Sequence, residues 1–290
     1  MKPPPFRHVA PRTVDEAVTA LAEADGHGKV LAGGQSLVPL LNMRLAAPSV
    51  LVDVNGVTGL DGIEVTDDAV VVGATVRHRD LERHAAADAA LPVLRQALVH
   101  VAHPVIRNRG TVVGSLVHAD PAAELPAVLV LLGGHVDVVS RDDRRSIDAE
   151  ALFVAPLESS LRPDELAVSA TFPRLAATTA TAVRELARRH GDYAMAGVCV
   201  AVDRDDERAT VTGARAVFIG VTDTPTLVDL GEDLAGQGCH DLDTVAAVAR
   251  ARDAIDPTDD IHATADYRRH LAGVMLARAL ADAATGREDA

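Results

Sequence analysis

A chain of 290 residues that is 48% hydrophobic, with a mean hydropathy of +0.13, is long enough for two domains with real cores and too apolar to be a disordered polymer. Its net charge of -14 argues against a nucleic-acid or anionic-membrane surface, and no apolar run approaches a membrane span. Two cysteines, Cys199 and Cys239, are too few for a four-thiolate iron-sulfur cluster and have no zinc spacing, so no metal site is expected and redox work would need an organic cofactor. The stretch Met1 to Phe6 lacks the apolar core of a signal peptide, and a cytoplasmic location is the expectation.

In chain order, Thr13-Val14-Asp15-Glu16 is a capping-box signature, and Val14, Ala17, Val18, Leu21 and Ala22 continue it at helical spacing until Gly26. Lys29 to Ala32 reads as a strand, Ser36 to Leu45 as a helix and Val50 to Val54 as a second strand, which together make a compact β-turn-α-β unit. Ala69 to Ala74 is strand-like, Asp80 to Ala87 and Leu91 to Val101 look helical, and a further helix is expected over Ala122 to Leu132. Strands follow at His135 to Val139 and Leu166 to Phe172.

The character changes after Pro173. Strand-like stretches lie near Ala182 to Leu186, Ala194 to Val202 and Ala209 to Val221, and helical patterns over Asp243 to Ala254 and Asp266 to Ala283 flank Pro257. The chain therefore divides near residue 175, into an α/β nucleotide-binding portion (1-175) and a smaller α+β portion (176-290). Cys199 falls in an apolar strand and reads as a small hydrophobe. The twelve histidines are scattered without a metal-binding pair and suit surface or hydrogen-bonding roles.

Two glycine-bearing turns carry the chemistry: Ala32-Gly33-Gly34-Gln35-Ser36 and Gly110-Thr111-Val112-Val113-Gly114-Ser115. The first joins a strand end to a helix start, where glycines let consecutive N-H groups point at an anion beside the helix N-terminus. Together the turns look like a divided phosphate cradle. Neither matches G-x-G-x-x-G or ends in Gly-Lys-Ser/Thr, so a Rossmann dinucleotide unit and a P-loop NTPase are both disfavoured.

With these residues placed, the chain resembles the medium, FAD-binding subunit of molybdenum hydroxylases, the carbon monoxide dehydrogenase and xanthine dehydrogenase group. The resemblance spans nearly the whole length. It rests on Leu31-Ala32-Gly33-Gly34-Gln35-Ser36-Leu37, Leu45-Ala46-Ala47-Pro48, Leu51-Val52-Asp53-Val54-Asn55 and Ile106-Arg107-Asn108-Arg109-Gly110-Thr111. It continues through His118-Ala119-Asp120-Pro121-Ala122-Ala123-Glu124-Leu125-Pro126, Ala187-Arg188-Arg189-His190-Gly191-Asp192-Tyr193-Ala194 and Tyr267-Arg268-Arg269-His270-Leu271.

The resemblance implies an α+β chain with an α/β N-terminal part: a two-part PCMH-type FAD-binding fold (1-175), then a smaller domain of antiparallel strands and helices like the carbon monoxide dehydrogenase flavoprotein C-terminal domain (176-290). FAD would lie between the two parts, its pyrophosphate embraced by Leu31 to Leu37 and by Thr111, Val112, Val113, Gly114 and Ser115. Asp120 and Glu124 either cap a helix or accept from a ribose hydroxyl. Arg107 and Arg109 either balance phosphate charge or fix the turn. Tyr193 would lie against the isoalloxazine, or be a half-buried strand tyrosine. Val113 departs from the family's Thr-x-Gly-Gly, and a β-branched residue there would resist positive φ.

The implied function is electron transfer by a flavoprotein subunit with no catalytic acid, base or nucleophile of its own. Its partners would be a large molybdenum-pterin subunit and a small iron-sulfur subunit, as a dimer of heterotrimers. A free-standing flavin oxidase or dehydrogenase and a flavin-free scaffold subunit are the alternatives.

Overall fold

The computed structural model describes residues 2-286. The chain opens with β1 (Arg7–Val9), α1 (Val14–Glu23), β2 (Gly28–Leu31), α2 (Leu37–Met43) and β3 (Val50–Asp53), and then a 3-10 turn over Val54–Gly56. The strands pair in parallel in the order β1-β3-β2. The capping signature is realised at α1: Thr13 Oγ1 accepts from the Glu16 amide at 3.2 Å, and Glu16 Oε2 accepts from the Arg12 amide at 2.6 Å. That helix buries Ala17, Val18, Ala20 and Leu21 against the small sheet.

The second part of this domain runs through β4 (Ile63–Val65) and β5 (Ala69–Gly73) into a string of helices. These are α3 (His78–Glu82), α4 (Ala85–Ala90), α5 (Val93–Leu98), α6 (Pro104–Arg107), α7 (Val112–His118) and α8 (Glu124–Leu132). Then come β6 (His135–Val139), β7 (Arg144–Asp148), α9 (Ala149–Leu152), β8 (Phe153–Ala155), β9 (Glu158–Ser159) and β10 (Leu166–Pro173). An antiparallel sheet in the order β4-β5-β10-β6-β7 supports them. All nine residues of α8 are buried, as expected of a helix apolar on every side.

Three sequence expectations change here. The helix expected over Asp80 to Ala87 is two, α3 and α4, because His84 leaves the helix and its Nδ1 accepts from the Ala87 amide at 3.1 Å to start a new one. The stretch Leu91 to Val101 shortens to α5. The second glycine turn is largely helix: Val112, Val113 and Leu116 of α7 are buried in the core, and that burial outweighs the weak helix propensity of Val-Val-Gly.

The remaining chain forms β11 (Thr179–Ala187), β12 (Ala194–Asp205), β13 (Thr210–Ile219) and β14 (Leu227–Asp229), then α10 (Gly231–Leu234), α11 (Val245–Ala254) and α12 (Ala265–Thr285). The sheet is antiparallel in strand order β11-β12-β13-β14. Period-two alternation gives it two buried faces. Cys199 and Ala201 of β12 join the core built around α8, while Val198, Val200 and Val202 join the core under α11 and α12. The smaller domain is thus clamped between α8 and its own C-terminal helix. No helix among the described residues is long and apolar enough to cross a membrane.

Candidate functional site

The two glycine turns meet. A Cβ built on Gly33 would stand 2.5 Å from the Arg109 carbonyl oxygen and 2.7 Å from Gly110 Cα, so only glycine lets the two main chains touch. Gly34 follows with φ +74, a left-handed conformation that turns the chain into α2. Behind this contact a polar clamp ties the turns together. Asn55 Nδ2 donates to the Ala32 carbonyl at 2.9 Å, Arg77 Nη2 donates to Asn55 Oδ1 at 2.6 Å, and Arg77 Nη1 donates to the Arg109 carbonyl at 2.6 Å.

Asp53 anchors the clamp, accepting from Asn55 Nδ2 at 2.6 Å with His8 Nε2 3.2 Å away. Burial works against its charge, but the Asn55 side-chain and main-chain hydrogen bonds, with His8, outweigh it and hold Asp53 below the ordinary aspartate range.

The clamp leaves several amides of the turns without protein acceptors. Among the described residues no protein acceptor takes the N-H groups of Gly34, Gln35 or Ser36, while the Val38 amide is used by the Gly34 carbonyl at 3.0 Å. Ser36 sits at the start of α2 without capping it. Gln35 Nε2 folds back on the Gly33 carbonyl at 3.3 Å. In the second turn the Val112 amide donates to Val76 at 3.1 Å and the Ser115 amide to Thr111 at 3.0 Å, which leaves Val113 and Gly114 as free first-turn donors. Thr111 Oγ1 is buried without a partner among the described residues and lies so close to Gly114 that a Cβ there would collide with it.

Val113 is therefore not strained: it is helical, and 2% exposed, with its side chain in the core. Leu31 ends β2 and Leu37 begins α2, so both frame the first turn and carry its main chain.

Arg107 and Arg109 separate. Arg107 is 5% exposed, with Nε 2.9 Å from Glu82 Oε2 and Nη1 donating to the Val101 and Ala102 carbonyls at 3.0 Å each, so it fixes the loop before α6. Arg109 is exposed, and its guanidinium has no partner among the described residues. Beneath the cradle lies His78, whose ring would meet a Cβ on Gly110 at 3.0 Å and whose two ring nitrogens have no hydrogen-bond partner among the described residues. Burial, aided by Arg107 and Arg77 against a main-chain contact at Thr111, pushes its pKa down to about 4. It is neutral at pH 7, buried, and neither a surface nor a hydrogen-bonding histidine.

At the other end of α6, a Cβ on Gly191 would meet the His103 ring at 2.6 Å, so the Gly191-Asp192-Tyr193 loop of the smaller domain rests there. Tyr193 is 66% exposed, more open than a half-buried strand tyrosine, and stands at a cavity of about 500 Å³ together with Asp120. Burial of its hydroxyl end and the Asp120 and Glu124 carboxyls raise its pKa.

Asp120 closes its own turn, Oδ1 accepting from the Ala122 amide at 2.9 Å, and the Gly220 amide pins that loop by donating to the Pro121 carbonyl at 2.9 Å. Glu124 instead turns inward. It is 9% exposed, and burial followed by the neighbouring Glu185 pushes its pKa up to about 8, while burial raises Glu185 to about 7. Neither acid caps α8, whose N-cap is Ala123.

Residues 4–175 match the model of the FAD binding domain in molybdopterin dehydrogenase, and residues 181–283 match the CO dehydrogenase flavoprotein C-terminal domain. The chain belongs to the FAD-binding medium-subunit family of molybdenum hydroxylases. It is 40% identical to the 6-hydroxypseudooxynicotine dehydrogenase complex subunit alpha of Paenarthrobacter nicotinovorans, over 98% of this chain and 96% of that one. It is 37% identical to the nicotine 6-hydroxylase medium subunit of the same organism, over 98% and 99%. Carbon monoxide dehydrogenase from Hydrogenophaga pseudoflava superposes with a TM-score of 0.90 at 34% identity over 100% of both chains. Quinoline 2-oxidoreductase from Pseudomonas putida 86 superposes at 0.92 and 32%, over 99% of both.

The residues present fit the family's cofactor: a surface that a single Cβ would fill, convergent amides without acceptors and an unpartnered Thr111 hydroxyl suit a pyrophosphate. As a medium subunit of this family, the chain is an FAD-binding component of a molybdenum-hydroxylase-type oxidoreductase. Of the organising residues, Asn55 closes the family segment Leu51 to Asn55, whereas Arg77 and His78 carry no motif that marks a flavin site. Their signal is only the Arg-His pair at the start of α3.

Proposed function

We propose that this subunit is the electron outlet of its complex, taking electrons from iron-sulfur clusters on a small subunit and passing them to an external acceptor. A large molybdenum-pterin subunit would oxidise the organic substrate, and the assembly would be a cytoplasmic dimer of heterotrimers. The domain boundary is placed at 175/176. When bound, FAD supplies the chemistry, collecting electrons singly and releasing them in pairs.

The chain's own part is to bind and orient. The main chain of Leu31, Ala32, Gly33, Gly34, Gln35, Ser36 and Leu37 and of Thr111, Val112, Val113, Gly114 and Ser115 would hold the pyrophosphate, with Arg109 adding charge. Asp120 and Tyr193 would face the flavin end, and Glu124 enters as a buried neutral acid behind them rather than as a ribose acceptor. The observation that carries this reading is the Gly33 contact, which turns two separate loops into one anion-facing surface.

The test is purification. The chain alone should bind one FAD, be yellow and leave organic substrates untouched. Adding cognate iron-sulfur and molybdenum subunits should restore substrate-dependent flavin reduction. Turnover of an organic substrate by the isolated chain at the rate of the full complex overturns the reading.

A further inference from the structure

Helices α11 and α12 cover the face of the last sheet opposite α8, and between them runs a groove of about 530 Å³ that no cradle residue lines. Helical spacing builds it. Val245, Val248 and Arg252 of α11 recur at i, i+3 and i+7 along one wall, and Gly273, Ala277 and Arg278 of α12 line the other. Its surface is open to water, with Val245 75% exposed, and no acidic side chain borders it.

Five arginines stand on these two helices. Three are matched: Arg250 with Glu232 and Asp233, Arg268 with Asp260, and Arg269 with Asp256 and Asp266. The other two, Arg252 and Arg278, are those that line the groove, and neither has an ionic partner among the described residues. Arg252 is set in place by a close approach. A Cβ on Gly273 would stand 2.6 Å from its Nε and 2.7 Å from its Nη2, so the guanidinium lies against α12 only because glycine is there, in a helix interior that glycine weakens. That placement leaves Nε buried without an acceptor among the described residues, and Nη2 with only the His270 carbonyl at 3.5 Å. A chain of net charge -14 thus keeps two unmatched cations beside an exposed apolar strip.

We infer that this groove is a docking surface for an apolar segment of a cognate subunit that carries carboxylates to meet Arg252 and Arg278. Charge complementarity selects that occupant. A carboxylate supplies the acceptor that the Arg252 Nε-H lacks, in the charge-assisted geometry that guanidinium favours, while apolar side chains take Val245 and Val248 out of water. Two copies of this chain, each at -14, repel one another, and a small ligand on so open a surface would leave much of itself in water. The inference rests on the subunit reading above and deepens it by naming a face that a partner covers.

The experiment titrates the FAD-loaded chain with the cognate iron-sulfur and molybdenum subunits, purified together, and reads the dissociation constant by sedimentation at several salt concentrations. Arg252→Gln with Arg278→Gln should weaken assembly about thirtyfold and flatten its salt dependence, while flavin content and the apoprotein melt keep their parental values. Val245→Asp, at an exposed position, should weaken assembly about tenfold by setting a charge in the apolar strip. Arg250→Gln with Arg269→Gln removes the same charge from the same helices outside the groove and should change the constant by less than about twofold. Parental affinity and salt slope in the Arg252 and Arg278 variant, or equal weakening by both arginine pairs, overturns the proposal. So does an isolated chain that sediments as a dimer and is dispersed by Val245→Asp, which gives the groove to a second copy. A parent chain that binds neither subunit overturns the subunit reading and the proposal with it, whereas assembly that every groove variant keeps overturns the proposal alone.

Discussion

At the cradle, amides without acceptors converge where Gly33 touches Gly110, over a buried histidine that stays neutral. At the seam between the domains, the side chains of Glu124 and Glu185 are buried, and Glu185 Oε2 has no hydrogen-bond partner among the described residues, with His100 Nδ1 3.6 Å from the other oxygen. Both regions bury titratable groups, but the withheld charge has opposite sign. His78 resists gaining a proton, and the two glutamates resist losing one. One region is shaped by main chain to receive a ligand's negative charge, and the other keeps negative charge out of the core, so the two respond in opposite directions to pH.

The largest expected effect follows from that opposition. Glu124 and Glu185 have folded pKa values of about 8 and about 7, against an ordinary glutamate value of 4.5, so the unfolded chain binds fewer protons than the folded one through this window. Their stabilising contribution is complete below pH 4.5 and is lost as pH rises through 7 and 8. His78, lowered from 6.5 to about 4, contributes in full above pH 6.5 and loses its contribution as pH falls toward 4. The two slopes oppose each other between 4.5 and 6.5, and above that the seam alone acts. Thermal or urea unfolding of the apoprotein should show stability falling between pH 6.5 and 8 by a few kcal/mol. Glu124→Gln should remove most of that fall and leave the acid limb; an unaltered slope would mean that the seam holds its charge by other means.

Next in size is Val113→Gly. Read from sequence, Val113 replaces a glycine that the turn needs, so glycine there should tighten FAD binding at a cost of up to about 1 kcal/mol. The structure reverses the argument, because position 113 is helical and its side chain is buried. The substitution should lose about 2 kcal/mol of apolar burial and about 0.4 kcal/mol of helix propensity, with no gain in affinity, since the Val113 amide is already presented. Melts of the apoprotein and FAD titration of both variants decide between the two accounts.

That reversal shows what was legible. The Gly33-Gly34 turn could be read because strand, glycines and helix are consecutive, and local geometry follows from local residues. Three strands of the last sheet, β11 to β13, and α12 could be read because their apolar periods are long, whereas β14, three residues in length, gave no such signal. Helix α7 could not, because Thr-Val-Val-Gly-Ser has poor intrinsic helix propensity and becomes helical only through burial supplied by distant strands. The seam was equally hidden: Glu124 read as a helix cap or a ribose acceptor and nothing marked Glu185, until the fold set α8 against β12 and β13, and α5 against β11, and enclosed both.

Gly33→Ala tests the cradle itself. The added methyl would meet main-chain atoms of Arg109 and Gly110, which have no side chain to swing aside, so the two turns must part. FAD affinity should fall about a hundredfold, or about 2.7 kcal/mol, read as flavin retained per chain after dilution. Gly62→Ala, with nothing within 4 Å of the added methyl, should retain FAD normally. Equal retention in both would separate the glycine contact from cofactor binding.

The smallest effect is expected at Tyr193, whose hydroxyl feels the carboxyls of Asp120 and Glu124. Because the residue is 66% exposed, Tyr193→Ala removes little core, and stability should stay within about 0.5 kcal/mol of the parent. A stacked aromatic is worth about 0.5–1.5 kcal/mol, so loss of the proposed contact with the flavin ring should weaken FAD retention about two- to tenfold. Opening that face should also speed reoxidation by dioxygen. The two readouts separate the possible roles: weaker retention with faster reoxidation fits a cover over the ring, weaker retention alone fits an indirect effect through the Gly191 loop on His103, and no change in either places Tyr193 away from the flavin.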